Sequence, residues 1–188
     1  MIELDDATGV VLVEGASDQV ALETLAARRG RDLGAEGVRM IAIGGAQAIG
    51  NVLRLIRASG VDARVAGLCD AGEERRFRHA LEQAGLGSGL SREGMEELGF
   101  YVCDADLEDE LIRALGAAVV EEVLARNGDL GSFRTFQKQP QWQGRPTESQ
   151  LRRFFGSSAG KIKYARLLVE ALDLARVPRP LDGVLAHV

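Results

Sequence analysis

Short apolar runs that end on acidic residues, and alternate with helix-length amphipathic stretches, constrain this chain more than any other feature. VVLVEGASD sets Glu14 and Asp18 behind one run, RVAGLCDAGEE sets Asp70 behind another, and FYVCDADLED sets Asp104, Asp106 and Glu108 behind a third. A further run, VRMIAIGG (38–45), ends on glycines. Runs this short and this continuously apolar fit parallel strands buried on both faces. Their alternation with helical stretches predicts βαβ units: an α/β fold with a central parallel sheet of about four strands and helices on both faces. Ligands bind such sheets beyond the carboxyl ends of the strands, so the three acidic groups are expected to meet at one edge.

Along the chain, the expected helices follow each run. SDQVALETLAARRG follows the first run, with Ser17 as its expected N-cap; a second helix runs from about Ala46 to Ala58, a charged one from about Glu73 to Ala84, and another carries Leu107, Leu111, Ile112 and Leu115. The glycine-rich stretch Gly85 to Gly94 is expected to be a mobile loop, and Leu130 to Gly144, which lacks a clear period, a long loop. Beyond Gly116 no strand is convincing. VVEEVLARNG is expected to be helical, and so is LLVEALDLARV, ended by Pro178 and Pro180. The expected organisation is therefore an α/β domain over 1–116 and a helical, basic C-terminal extension over 117–188 packed on it.

The chain's net charge of -5 argues against a generic polyanion binder, yet the charge is segregated. Residues 130–168 carry +7, from Arg134, Lys138, Arg145, Arg152, Arg153, Lys161, Lys163 and Arg166 against Glu148, which leaves -12 on the remainder. An acidic, cation-binding part beside a basic part suits a protein that follows a polyanion. Arg152, Arg153, Lys163 and Arg166 are the expected nucleic-acid contacts. Six of the nine aromatic residues fall in the same basic part, where they either stack on bases or form the core of a small helical unit. No apolar run approaches the ~20 residues that span a bilayer, and the acidic opening MIELDD is unlike a signal peptide, so a soluble, cytoplasmic protein without membrane partners is expected. Cys69 and Cys103 form no CxxC pair and are expected to be buried, reduced thiols.

Mg²⁺ and similar hard cations take carboxylate oxygens, commonly together with substrate phosphate oxygens. Asp18 and Asp106 fall in first helical turns, where capping and the helix dipole alone account for an acid. Glu14 and Asp70 directly follow apolar strands at costly half-buried positions, for which function is the better explanation. GGAQAIGN lacks both the Lys-Ser/Thr of a P-loop and the dinucleotide fingerprint and is expected to form a tight turn. His79 and His187 lack triad partners and are expected at the surface.

The order VEGASD, GGAQ, LCDAG, DADLED resembles the Toprim domain, and most closely the version in OLD (overcoming lysogenisation defect) nucleases, over roughly Val10 to Leu115 and more loosely in the lysine-containing tail. That resemblance implies a Toprim-like sheet and a metal-dependent nuclease that hydrolyses or nicks DNA, with RNA as the open alternative, using two Mg²⁺ or Mn²⁺ ions. Residue by residue, Glu14 matches the family glutamate, Asp18 the added acid of the OLD-type EGxxD motif, Asp70 the first acid of DxD, and Glu108 the acid after the fourth strand. One ion is expected on Glu14 and Asp70, and a second on Asp18 with acids drawn from Asp104, Asp106 and Glu108. The second DxD acid is Gly72 here, so either Glu73 or Glu74 substitutes or the other acids carry the second ion alone. A family lysine falls within GKIKYA, with Lys161 the first choice and Lys163 the second; it would stabilise the pentavalent phosphate or hold the attacking water.

OLD proteins join Toprim to an ABC-type ATPase, and this sequence has no Walker A loop. The expectation is therefore a stand-alone member or the nuclease region of a longer protein, with a separate ATPase or helicase as partner and a homodimer as a possible assembly. The rival expectations are a non-catalytic nucleic-acid-binding or regulatory Toprim module and a phosphoryl-accepting receiver. Receivers place adjacent acids after the first strand, whereas Glu14 and Asp18 are four apart.

Overall fold

The computed structural model describes residues 4, 6–156 and 160–188; the first three residues and Asp5, in the acidic opening MIELDD, lie outside the described residues. Four strands, β1 (Gly9–Val13), β2 (Val38–Ala42), β3 (Arg64–Asp70) and β4 (Phe100–Cys103), form one parallel sheet in the order β2-β1-β3-β4. The expected α/β class and the four-stranded sheet are what the structure contains. The register sets Val13 beside Ala42 and Leu68, and Asp70 beside Cys103, so the carboxyl ends of β1, β3 and β4 lie along one edge.

Among the described residues ten α-helices surround the sheet: α1 (Ala16–Arg28), α2 (Ile49–Ser59), α3 (Glu74–Gln83), α4 (Arg92–Glu97), α5 (Leu107–Leu115), α6 (Ala117–Arg126), α7 (Leu130–Gln137), α8 (Thr147–Gly156), α9 (Lys161–Ala171) and α10 (Arg179–His187). The side-chain alternation of a strand explains the two layers. Val11, Val13, Ala66 and Leu68 face a core shared with α1, α5, α6, α8, α9 and α10. Val10, Leu12, Cys69 and Phe100 face the opposite core, shared with α2, α3 and α4. The helices after Gly116 therefore complete the first of these cores, through Phe133, Leu151, Phe155, Leu168 and Leu185, all essentially inaccessible to solvent. Both cysteines are buried and free.

Several local expectations are corrected. Gly15, rather than Ser17, is the N-cap of α1, and its N–H is donated to Asp18 Oδ2 at 2.9 Å. The expected loop over Leu130 to Gly144 begins with α7, because Phe133 and Phe136, three apart, share a face that packs into the core. The expected glycine-rich loop ends early: Ser91 caps α4 by accepting the Gly94 N–H at 3.1 Å. The helix over LLVEALDLARV stops at Ala171, and the prolines instead open α10, where Pro178 is the N-cap and Pro180 occupies the first turn. His187 is half-buried, with its ring close against Gly99.

Arginines of α1 and its following turn fasten the late helices. Arg28 Nη1 donates to Val169 O and Leu172 O, each at 2.7 Å, and Arg31 Nη2 donates to Val188 O at 3.0 Å, so cations meet the carboxyl ends of α9 and α10. α10 lies against the sheet through Gly183. A Cβ there would stand 2.2 Å from the Tyr101 ring, far inside contact distance. We expect Gly183→Ala to force α10 off β4, lowering stability by about 1–3 kcal/mol and Tm by roughly 3–10 °C. Thermal unfolding by circular dichroism checks this, and an unchanged Tm would contradict the packing.

Candidate acidic active site

β1 delivers Glu14 to the sheet edge, and two backbone contacts fix it there. The Gly45 N–H donates to Glu14 O at 3.1 Å, which requires the turn after β2 to fold back over β1; Gly44 and Gly45 adopt φ of 73° and 114° to do so. This is the tight turn expected of GGAQ. On the other side the Asp70 N–H donates to Glu14 Oε1 at 2.8 Å, which ties the end of β3 to the end of β1. The loop after β4 joins the same edge, since the Ala71 N–H donates to Ala105 O at 3.2 Å.

Around this edge the structure gathers Glu14, Asp18, Asp70, Asp106, Glu108 and Lys161, each close enough to feel charge on others of the group. Asp18 and Glu108 are buried, at 8% and 6% exposure, and Glu14 and Asp70 are half-buried. Burial, reinforced by the neighbouring carboxylates, pushes Asp70 up to about 7 and Asp18 up to about 6. Burial likewise raises Glu14, against the Asp70 N–H that it accepts, and raises Glu108, against the opposing pull of Lys161. Lys161 is the cation among them. Burial alone would lower its pKa, but Glu108, Asp18 and Asp70 together raise it, so the ammonium stays charged.

The lysine–glutamate contact is loose. Lys161 Nζ stands 3.4 Å from Glu108 Oε1, long for a charge-assisted hydrogen bond, and that buried oxygen has no hydrogen bond of ordinary geometry among the described residues. The same helix start turns Lys163 elsewhere: its Nζ bonds Asp129 Oδ2 at 2.8 Å and sits over the Tyr164 ring. Of the two lysines expected for the site, only Lys161 meets the acids. Lys163, also expected at nucleic acid, is held on Asp129, while Arg166 is exposed on the same helix.

The acids after β4 divide. Asp106 caps α5 by accepting the Asp109 N–H at 2.9 Å, as its first-turn position predicts, and its other oxygen takes Arg152 Nε at 2.7 Å. Asp104 is exposed and is not brought to the group; Arg92 at 3.4 Å and Arg113 at 3.1 Å hold it on the outer side of the loop. Glu110, which the sequence did not single out, is buried and accepts the Asp104 N–H at 2.7 Å, so it shapes the loop that presents Asp106 and Glu108. Its period-four position on an amphipathic helix gave no signal of that. Among the described residues no three His, Cys, Asp or Glu side chains converge into a ready metal cage.

Where a second DxD acid would stand, Gly72 has open space: a Cβ there meets nothing within 4 Å. Of its two possible substitutes, Glu74 is taken by Arg78 and Arg92, while Glu73 pairs with Arg76 and lies near enough to raise the Glu14 pKa. A cavity of about 640 Å³ opens here, lined by Gly72, Arg75, Arg76, Arg78 and His79. The run ERRFRH directly behind Asp70 was its sequence signal. On the far flank, Arg152 and Arg153 of α8 line a groove of about 430 Å³ together with Asp106, Trp142 and Arg145. Basic side chains thus border the acidic edge on two sides. No helix among the described residues is long and apolar enough to cross a membrane.

Residues 7–71, which include Glu14, Asp18 and Asp70, match the family model described as overcoming lysogenization defect protein-like, TOPRIM domain. Two structures of the C-terminal region of the Xanthomonas campestris pv. campestris OLD protein superpose with TM-scores of 0.72 and 0.74 at 21% identity. They cover 96% and 97% of this chain and 94% and 92% of theirs. The C-terminal region of the Burkholderia pseudomallei OLD protein gives 0.71 at 18% identity, over 96% of each chain. No curated protein matches the chain. Residues 7–71 thus match an OLD-like Toprim model, and the fold is similar along nearly its whole length to the C-terminal region of OLD proteins.

Proposed function

We propose that this chain hydrolyses or nicks phosphodiester bonds of DNA at the edge occupied by Glu14, Asp18, Asp70 and Glu108, with Mg²⁺ or Mn²⁺ as its cofactor. The observation that carries this reading is the imbalance of charge there: five carboxylates share the edge with two cations, Lys161 and the Arg152 that takes Asp106, and the pKa values of Glu14, Asp18, Asp70 and Glu108 are raised. Carboxylates that burial and one another make harder to ionise form a site short of cations. The donor set fits hard divalent ions, since every donor is an oxygen and the buried Glu108 Oε1 is without a proper hydrogen bond. Glu14, Asp18, Asp70 and Glu108 would hold such ions, which supply Lewis-acid stabilisation of phosphate oxygens and a more acidic water.

The protein's own groups complete the arrangement. The Asp70 N–H keeps one oxygen of Glu14 fixed and so aims the other away from the strand. Lys161, charged and half-buried, offers its ammonium to the negative charge that builds on the phosphorus oxygens during substitution. The arginines on α3 and α8 bind the neighbouring phosphates without reading bases. Gly72 favours a second reading, a Toprim module that binds nucleic acid without cutting, because one expected acid is missing.

A plasmid nicking assay separates the two. We expect nicked and linear products in Mg²⁺ or Mn²⁺ and a loss of about a hundredfold or more in Glu14→Gln; equal cutting by that variant would remove Glu14 from the chemistry, and DNA retention with no cutting by the natural chain selects the binding module. Gly72→Asp, which the open space accommodates, is expected to lower the Mg²⁺ concentration needed for half-maximal nicking several-fold.

Stability should report the same acids. In the folded chain Asp18 and Asp70 release protons near 6 and 7, against about 3.9 in an unfolded chain. The folded state therefore binds more protons between about pH 4 and 7, and its stability falls as pH rises through that window, then levels off. Divalent cations replace those protons. Differential scanning fluorimetry is expected to show Tm declining from about pH 5 to 7.5 without cations, and a Mg²⁺- or Mn²⁺-induced rise that is larger at about pH 8 than at about pH 5.

A further inference from the structure

The groove on the α8 side has a composition that duplex binding does not need. A duplex presents its phosphates outward and keeps its bases stacked inside, so arginines alone serve it. Aromatic and guanidinium faces become useful where bases are unstacked. Here Trp142 is half-buried, one ring neighbour being Phe136 at 5.2 Å between centroids, and the Arg145 guanidinium lies 5.4 Å from the Trp142 ring centre. Arg145 is held in place by its Nε, which donates to Gln141 O at 2.8 Å.

This platform is built rigidly. The buried side chain of Gln150 on α8 donates to Trp142 O at 2.7 Å and accepts from Gln137 Nε2 at 2.6 Å, so α7, α8 and the turn carrying Trp142 share one buried amide. The charges of the groove are also sorted. Asp106 is matched by Arg152, and Asp109 by Arg113 at 2.9 Å, whereas among the described residues no carboxylate pairs with Arg145 or Arg153. Those two arginines, and the exposed Glu148 that lines the same groove, are left without an ionic partner among the described residues, and Arg145 is the one that lies over the Trp142 ring. The lining includes Asp106, and the neighbouring Ala105 O accepts the Ala71 N–H at 3.2 Å directly behind Asp70, so the groove adjoins the acidic edge.

We propose that this groove holds a single-stranded segment of DNA, its bases against the Trp142–Arg145 face and its phosphates along Arg152 and Arg153, leading into the acidic edge. The substrate class is then DNA with an unpaired end or branch beside the bond to be cut. This rests on the phosphodiesterase reading for the cutting step, but the binding step does not.

Trp142 is the chain's single tryptophan, so its fluorescence reports on the groove directly. The full chain is titrated, in calcium, with oligothymidylate of about twelve nucleotides, within the ~4–16 that one single-strand-binding fold covers, and with a blunt duplex of equal length. The single strand is expected to quench Trp142 and the duplex to leave it nearly unchanged. Measured by anisotropy of a labelled oligonucleotide, Arg145→Ala combined with Arg153→Ala is expected to weaken single-strand binding about tenfold or more, and duplex binding by a clearly smaller factor. Trp142→Ala should lose a comparable factor, and Trp142→Phe, which keeps a stacking ring, should recover most of it, with matching Tm values as the folding control.

Absent quenching, equal quenching by both ligands, or an arginine double variant with unaltered single-strand affinity each overturns the groove. A chain that binds and is quenched yet never nicks plasmid upholds the groove and removes the phosphodiesterase reading. One that nicks with Trp142 unquenched does the reverse.

Discussion

Two hydrogen bonds from Arg28 to the last carbonyls of α9 hold together the two halves of the sequence. The carbonyls at a helix end lack partners within the helix, and the dipole concentrates partial negative charge there, so a guanidinium satisfies both needs at once. With its carboxyl end pinned to the end of α1, α9 runs alongside α1 and points its amino end at the sheet edge. Asp18 lies at the start of α1 and Lys161 at the start of α9. The pairing of a late lysine with early acids is thus a result of helix packing, set by apolar contacts through Leu22, Leu25, Leu168 and Val169 rather than by attraction between the charges.

The acidic edge illustrates how a folded chain retains groups that oppose folding. Removing carboxylates from water and crowding them raises their pKa values, which means that their ionised forms cost stability. Arg152 and Lys161 relieve part of that cost, and backbone N–H groups of Gly15 and Asp70 relieve more. The two cores supply the remainder. Such a concentration of uncompensated acid on an otherwise well-paired molecule is a hallmark of binding and catalytic sites.

The sheet was legible because each strand is a short apolar run closed by an acid or by glycines, and the order of the runs alone implies parallel pairing. Glu14 and Asp70 were legible for the same reason, since position relative to a strand end is a local property. What local pattern cannot carry is the choice between neighbours on a helix: Lys161 and Lys163 differ in which side of α9 they occupy, and the packing of segments far apart in sequence sets Glu108 before one and Asp129 before the other. Pattern does not tell Asp104 from Glu110 either, because the hydrogen bond from the Asp104 N–H to the Glu110 carboxylate, and not composition, decides which acid turns inward. The helix α7 was hidden by its glycine and by the glutamine-rich stretch that follows it, and it is stabilised by the burial of Phe133 instead of by propensity.

The aromatic rings of the helical part form one continuous chain of contacts, stacked at Trp142 and Phe136 and mostly edge-to-face beyond. Trp142 meets Phe136, Phe136 meets Phe154, Phe154 meets Phe155, and Phe155 meets Tyr164 at 4.8 Å, one turn beyond Lys161 on α9. Close-packed interiors have little compressibility, so rings in series behave as a strut and not as a cushion. The span between the Trp142 face and the start of α9 is accordingly filled by five rings in contact. A displacement imposed at one end of that strut arrives at the other, and the α8 groove and the acidic edge share a single frame of reference.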